Sequence, residues 1–136
     1  AMTYALVGVL MGLFGAGLRK NFLFDMIHRG ESPWTHHASV FQFYNMANLW
    51  RDIQTVSTSD VSLINFATEP VSAADVARHS FGVDYSFETD KPPVRYDMRT
   101  RHADLFDAAP PYILSAAETY TQIREFAESE KANQQS

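Results

Sequence analysis

The first eighteen residues of the chain, Ala1 to Leu18, contain no charged side chain. A helix rises about 1.5 Å per residue, so this stretch would reach roughly 27 Å, close to the ~30 Å hydrocarbon core of a bilayer. Arg19 and Lys20 follow and can extend toward the headgroups, while apolar residues continue to Phe24. The pattern predicts a transmembrane anchor helix over residues 1–24.

Two other interpretations of this stretch stay open. A secretory signal peptide carries basic residues before its apolar core, whereas here they come after it. A helix buried in a soluble core usually has a polar face, and the polar side chains here are Thr3 and Tyr4, both at the start.

Small residues recur every four positions within the predicted helix, at Gly8, Gly12 and Ala16. In lipid, a stripe of small residues lets another helix approach closely, and that packing stabilises association. The spacing therefore predicts that this helix packs against transmembrane helices of neighbouring subunits.

The remaining sequence predicts a mainly α fold, with a mostly helical and irregular segment outside the membrane. Residues 25–33 are interpreted as a turn and residues 34–56 as an aromatic amphipathic helix, since apolar residues recur there at spacings of three and four. The sequence of residues 57–109 predicts an irregular segment with a short helix near 73–79. Residues 110–136 predict a C-terminal helix with a frayed tail.

The 34–56 segment carries more aromatic surface than one short domain can bury. Exposed aromatic rings are typical of protein interfaces and of the membrane boundary. The candidate residues for a partner interface are Trp34, Phe43, Tyr44, Met46, Trp50, Arg51 and Asp52.

Composition excludes several classes of function. Sixteen acidic residues against eleven Lys and Arg leave a net charge of −5, which excludes a broad nucleic-acid surface. The absence of cysteine removes thiolate metal sites and Cys nucleophiles. The five histidines show no familiar metal-ligand spacing, and no phosphate-binding loop or hydrolase motif occurs. The sequence predicts a non-catalytic protein without cofactor or metal.

The order of these features resembles the MWFE-type accessory subunits of mitochondrial NADH:ubiquinone oxidoreductase, respiratory complex I. The resemblance covers about residues 4–53 and rests on Phe14–Gly15, Ile27–Gly30, Tyr44–Met46 and Trp50–Asp52. It implies a non-catalytic, single-span subunit that supports the assembly and stability of the complex. Its partners would be neighbouring transmembrane and peripheral subunits and lipid.

The resemblance also implies a location in the mitochondrial inner membrane, with the C-terminal segment in the intermembrane space. The basic residues that follow the predicted helix favour the matrix side instead, and we expect the intermembrane space. Two alternatives stay open. One is an anchored subunit of another respiratory assembly, such as ATP synthase or cytochrome oxidase; the other is a soluble helical interaction domain.

Overall fold

The structure is a computed structural model that describes residues 6–8, 12–18 and 21–134. Helices and strands alternate along the chain in a mixed α/β fold. The elements are β1 (Leu6–Gly8), β2 (Gly12–Phe14), α1 (Phe22–Arg29), β3 (Val40–Phe41), β4 (Phe43–Asn45), α2 (Leu49–Ser57), β5 (Leu63–Asn65), β6 (Val71–Ser72), α3 (Ala73–Phe81) and α4 (Ala116–Gln134). Short 3-10 turns occur at Met46–Asn48 and Ala103–Phe106.

The strands pair in twos. β1 pairs with β5 and β2 pairs with β4, both in parallel, while β3 and β6 are antiparallel. An extended segment after Pro93 lies on the other side of β3. The N–H of Val40 donates to the carbonyl oxygen of Val94 at 2.8 Å, and the N–H of Tyr96 donates to that of Val40 at 3.0 Å. This segment therefore extends the sheet formed by β3 and β6.

The apolar N-terminal region forms parallel strands where the sequence predicts a helix. A short apolar run fits a strand as well as a helix, so hydropathy alone does not separate the two. Within the described part of the chain, no helix has the length and apolar character to span a membrane. The predictions of a mainly α fold, of a transmembrane helix and of a single-pass inner-membrane location are wrong. Residues 1–5, 9–11 and 19–20 of that predicted helix lie outside the described residues.

The predicted helix over residues 34–56 is helical only in its second half, from Leu49 onward. Its first half forms β3 and β4, whose backbone groups bond to β6 and β2. Consecutive residues of β4 are buried on both faces, so its apolar residues do not alternate with polar ones as in a half-exposed strand. The predicted turn over 25–33 is occupied mostly by α1, which ends where Gly30 adopts a left-handed conformation (φ 72°).

Two later helices begin at capping serines. α3 covers Ala73–Phe81, in the region where the sequence predicts a short helix, and the Ser72 hydroxyl accepts from the N–H of Asp75 at 3.1 Å. α4 begins at Ala116, after the two prolines at 110 and 111, and the Ser115 hydroxyl accepts from the N–H of Glu118 at 3.2 Å. The last two residues, 135–136, lie outside the described residues.

Two hydrophobic clusters hold these elements together. The first lies among α1, α3, α4 and strands β2 and β4, and consists of Phe14, Phe22, Leu23, Met26, Phe43, Val71, Ala73, Val76, Ala77 and Ile123. The second consists of Tyr44, Val56, Ile64, Phe66 and Ile113. Strand β4 contributes to both, since successive side chains of a strand point to opposite faces. Phe43 packs in the first cluster and Tyr44 in the second.

Replacement of Gly12 by Val is expected to destabilise the fold. A Cβ atom at this position would lie 2.8 Å from Cδ1 and Cε1 of Phe43, whose ring is 2% exposed. Because the buried Phe43 ring would have to shift out of its packing, we expect a loss of about 1–3 kcal/mol in the free energy of unfolding, measured by urea denaturation.

Ala16→Val is the matched control, because Ala16 lies exposed in the turn after β2. It should change the free energy of unfolding by less than about 0.5 kcal/mol. Equal losses of unfolding free energy for the Gly12 and Ala16 variants would contradict the strand at Gly12. They would favour the predicted helix with small residues at every fourth position.

Candidate functional site

A cleft of about 430 Å³ opens between β2, the start of α1, β3 and the segment after Pro93. We call it the aromatic cleft. Its lining consists of Gly12, Asn21, Phe22, Thr35, Phe41, Gln42, Phe43 and Tyr96.

Two rings of the cleft stack against the ring of Phe41. The Phe41 ring is 6.3 Å from that of Phe22, at an interplanar angle of 19°, and 6.3 Å from that of Tyr96, at 25°. Tyr96 is 49% exposed, so part of its ring remains open to solvent. The open part of the Tyr96 ring offers a flat apolar surface to a planar ligand.

The Gln42 side chain binds the extended segment after Pro93, which carries Tyr96 and forms one wall of the cleft. Its side chain is 1% exposed, and its Nε2 donates to the carbonyl oxygens of Thr68 at 2.8 Å and Met98 at 2.7 Å. Its Oε1 accepts from the N–H of Met98 at 2.7 Å. These three bonds fasten the extended segment to the body of the fold.

The other polar side chains of the cleft also bond within the protein. Asn21 caps α1, with its Oδ1 accepting from the N–H of Phe24 at 3.0 Å, and its Nδ2 donates to the carbonyl oxygen of Leu13 at 3.1 Å. The hydroxyl of Thr35 shares a hydrogen bond with that of Ser32 at 2.9 Å. Among the described residues that line the cleft, none is charged.

The turn that contains Thr35 is braced from two sides. The Ser32 hydroxyl donates to Oδ2 of Asp25 at 2.9 Å, and the Tyr85 hydroxyl bonds the carbonyl oxygens of Ser32 and Thr35. Burial, and to a lesser extent the nearby carboxylates of Asp25 and Glu31, raises the pKa of Tyr85. The neutral phenol is therefore favoured, which suits its role as a donor.

A second cavity, of about 330 Å³, lies on the other face of β4. The Tyr44 hydroxyl there donates to Oδ2 of Asp52 at 2.6 Å, and both side chains are buried. Arg51 Nε lies 3.4 Å from Oδ1 of Asp52, but the Arg51 side chain is 68% exposed. Burial raises the pKa of Tyr44 far above its usual value, and the hydrogen bond to Asp52 adds to the shift.

The structure brings together only some of the residues predicted for a partner interface. Tyr44, Arg51 and Asp52 meet at the second cavity, while Phe43 faces the aromatic cleft. Met46 lies in the 3-10 turn after β4, half exposed.

Trp34 and Trp50 are both exposed and line neither of these two cavities. Trp34 lies in the loop before β3 and Trp50 on α2, at 78% and 71% exposure. The predicted helix stripe does not form, since Gly8 and Gly12 belong to different strands and Ala16 lies in a turn.

Sequence reasoning missed most of the aromatic cleft, namely Asn21, Phe22, Thr35, Phe41, Gln42 and Tyr96. The sequence held one signal of this site: Gln42 is the single amide among the aromatic residues 41–44. A polar residue inside an apolar strand implies buried hydrogen bonds. The described residues contain no group of three or more His, Asp or Glu side chains positioned to bind a metal ion.

Comparison with known proteins shows likeness in fold without likeness in sequence. No family model and no curated protein sequence matches the chain significantly. Two solved structures match nearly all of it. One is a dTDP-glucose 4,6-dehydratase from Bacillus anthracis in complex with NAD, with a TM-score of 0.64, 13% identity and 95% of this chain covered. The other is a UDP-N-acetylglucosamine 4-epimerase from Methanobrevibacter ruminantium in complex with UDP-N-acetylmuramic acid, with a TM-score of 0.63, 15% identity and 96% coverage.

The chain spans 45% and 47% of the length of these two proteins. The likeness therefore concerns somewhat less than half of each neighbour, and at such low identity it shows the fold alone.

Proposed function

We propose that this chain is the ligand-binding part of an enzyme that acts on sugar nucleotides, with the nucleotide base in the aromatic cleft. The observation that carries the proposal is the half-exposed ring of Tyr96, which stacks on Phe41 in the aromatic cleft. Its support from the comparisons is the fold likeness to two enzymes named for sugar-nucleotide substrates.

Ring stacking supplies enough affinity to make the proposal reasonable. A base stacked on an aromatic side chain gains about 1–3 kcal/mol. Tyr96 is the ring most available for this contact, because half of its surface is exposed while its backbone N–H donates to the carbonyl oxygen of Val40.

We propose binding, and not complete catalysis, for the residues in this chain. The sequence-based prediction that the protein is non-catalytic remains a prediction. An accessory role in respiratory complex I, with the partners it implies, also remains a prediction from the sequence. The membrane-spanning helix that this accessory role requires is contradicted by strands β1 and β2.

Isothermal titration with dTDP-glucose and UDP-N-acetylglucosamine tests the proposal. At least one of them should bind, and Tyr96→Ala should raise its Kd by about tenfold through the loss of stacking. Trp50→Ala is the matched control, because it removes an exposed ring on α2 outside the cleft and should leave Kd unchanged. Absence of binding, or equal effects of the two substitutions, would refute the proposal.

A further inference from the structure

We propose that the second cavity binds a neutral compound with several hydroxyl groups, such as a monosaccharide or a cyclitol. Its volume of about 330 Å³ lies within the range of small-molecule sites, which begins at about 300 Å³. The inference does not rest on the proposed function, because it concerns a different cavity, on the other face of β4 from the aromatic cleft.

The carboxylate of Asp52 is the group that points to a ligand, because it is buried and lies on the wall of the cavity. Its Oδ2 accepts from the Tyr44 hydroxyl at 2.6 Å. Its Oδ1 has Arg51 Nε at 3.4 Å, which is longer than the about 2.7–2.9 Å of a strong charge-assisted hydrogen bond. A carboxylate can accept about four hydrogen bonds, so Asp52 keeps acceptor capacity that a ligand hydroxyl can use.

Charged groups of both signs line the cavity. Asp107, which follows the 3-10 turn Ala103–Phe106, and Glu118, in the first turn of α4, add two carboxylates to that of Asp52. The exposed guanidinium of Arg51 has N–H donors beyond the Nε that faces Asp52. A cation would be repelled by Arg51 and an anion by the carboxylates. A hydroxyl group, in contrast, donates to a carboxylate and accepts from a guanidinium.

Two asparagines of the cavity wall are held in place by α4. Nδ2 of Asn45 and Nδ2 of Asn48 both donate to Oε1 of Gln122, at 3.3 and 3.1 Å. An amide nitrogen carries two N–H donors, so each asparagine has a second donor for a ligand oxygen. Because these side chains are already ordered, binding a ligand costs less conformational entropy.

Apolar side chains complete the cavity, namely Leu105, Phe106 and Ile113. Leu105 and Phe106 are partly exposed, so some of their apolar surface remains accessible. A sugar or cyclitol ring carries C–H groups between its hydroxyls, and such a ring therefore needs both apolar and polar surface. Apolar lining with a few placed polar groups is typical of small-molecule sites.

An NMR titration of the intact chain with methyl β-glucoside and with myo-inositol tests the inference. We expect a Kd below about 30 mM for at least one of them, with shifted amide signals at Asn48 and Thr55, which line the cavity. Asp52→Asn keeps the size of the side chain but removes its charge, and it should raise this Kd about tenfold. Arg51→Ala should raise the Kd about threefold. Trp50→Ala, on the same helix but outside the cavity, is the matched control and should leave the Kd unchanged.

Charged probes separate this ligand class from simple ions. Methylammonium and acetate, titrated in the same way, should bind more weakly than the better of the two hydroxyl compounds. The inference is overturned if either ion binds more tightly, or if both hydroxyl compounds have a Kd above about 30 mM. An unchanged Kd in Arg51→Ala also overturns it, and this variant decides the matter even where Asp52→Asn does not fold, because the Arg51 side chain is exposed. The proposed function survives each of these results, since it depends on Tyr96 in the aromatic cleft.

Discussion

Replacement of Gln42 by Leu is expected to lower the free energy of unfolding by about 3–5 kcal/mol. Leucine keeps much of the side-chain volume but leaves three backbone groups without their partner: the carbonyl oxygens of Thr68 and Met98 and the N–H of Met98. Each buried group that loses its hydrogen bond costs about 1–3 kcal/mol. Urea denaturation followed by circular dichroism measures the loss.

The same substitution should also weaken ligand binding, because the segment that carries Tyr96 loses its attachment at Met98. Gln54→Leu is the control, since Gln54 lies exposed on α2. We expect a change of less than about 0.5 kcal/mol there. A loss below about 1 kcal/mol at Gln42 would show that water satisfies these groups and that Gln42 does not hold the wall.

Replacement of Asp52 by Ala is expected to cost about 3 kcal/mol, because the buried hydroxyl of Tyr44 would lose its acceptor. Tyr44→Phe should cost a similar amount, since it leaves Oδ2 of the buried Asp52 carboxylate without its donor. The double variant should cost less than the sum of the two, with a coupling energy of about 2 kcal/mol. Thermal and urea denaturation of the four proteins measures this cycle.

Arg51→Ala provides the contrasting variant for this pair. The Arg51 side chain is 68% exposed and its Nε lies 3.4 Å from Asp52, so water screens the interaction. Its loss should cost less than about 1 kcal/mol. If the effects of Tyr44→Phe and Asp52→Ala simply add, the buried hydrogen bond does not stabilise the fold.

Local signals in the sequence were sufficient where the interacting groups are close along the chain. Ser72 begins α3 because its hydroxyl reaches an N–H three residues away. Such signals indicate where a helix starts or stops whatever the rest of the chain does.

The apolar N-terminal region could not be assigned from the sequence, because its structure depends on distant partners. Leu6 pairs with Leu63 and Gly12 with Phe43, and no local pattern specifies those pairings. The absence of charge is compatible with a membrane helix and with buried parallel strands alike. In the structure the small size of Gly12 admits the Phe43 ring.

The sequence by itself determined the short helix near residues 73–79, the exclusion of thiol chemistry and the excess of aromatic side chains. Only the tertiary structure decided how those aromatic residues are used. Phe22, Phe41 and Tyr96 come from a helix, a strand and an irregular segment, and they meet because β3 pairs with β6 on one side and with the segment after Pro93 on the other. Hydrogen bonds between residues more than fifty positions apart, such as that of Gln42 with Met98, hold this arrangement, and no local periodicity encodes them.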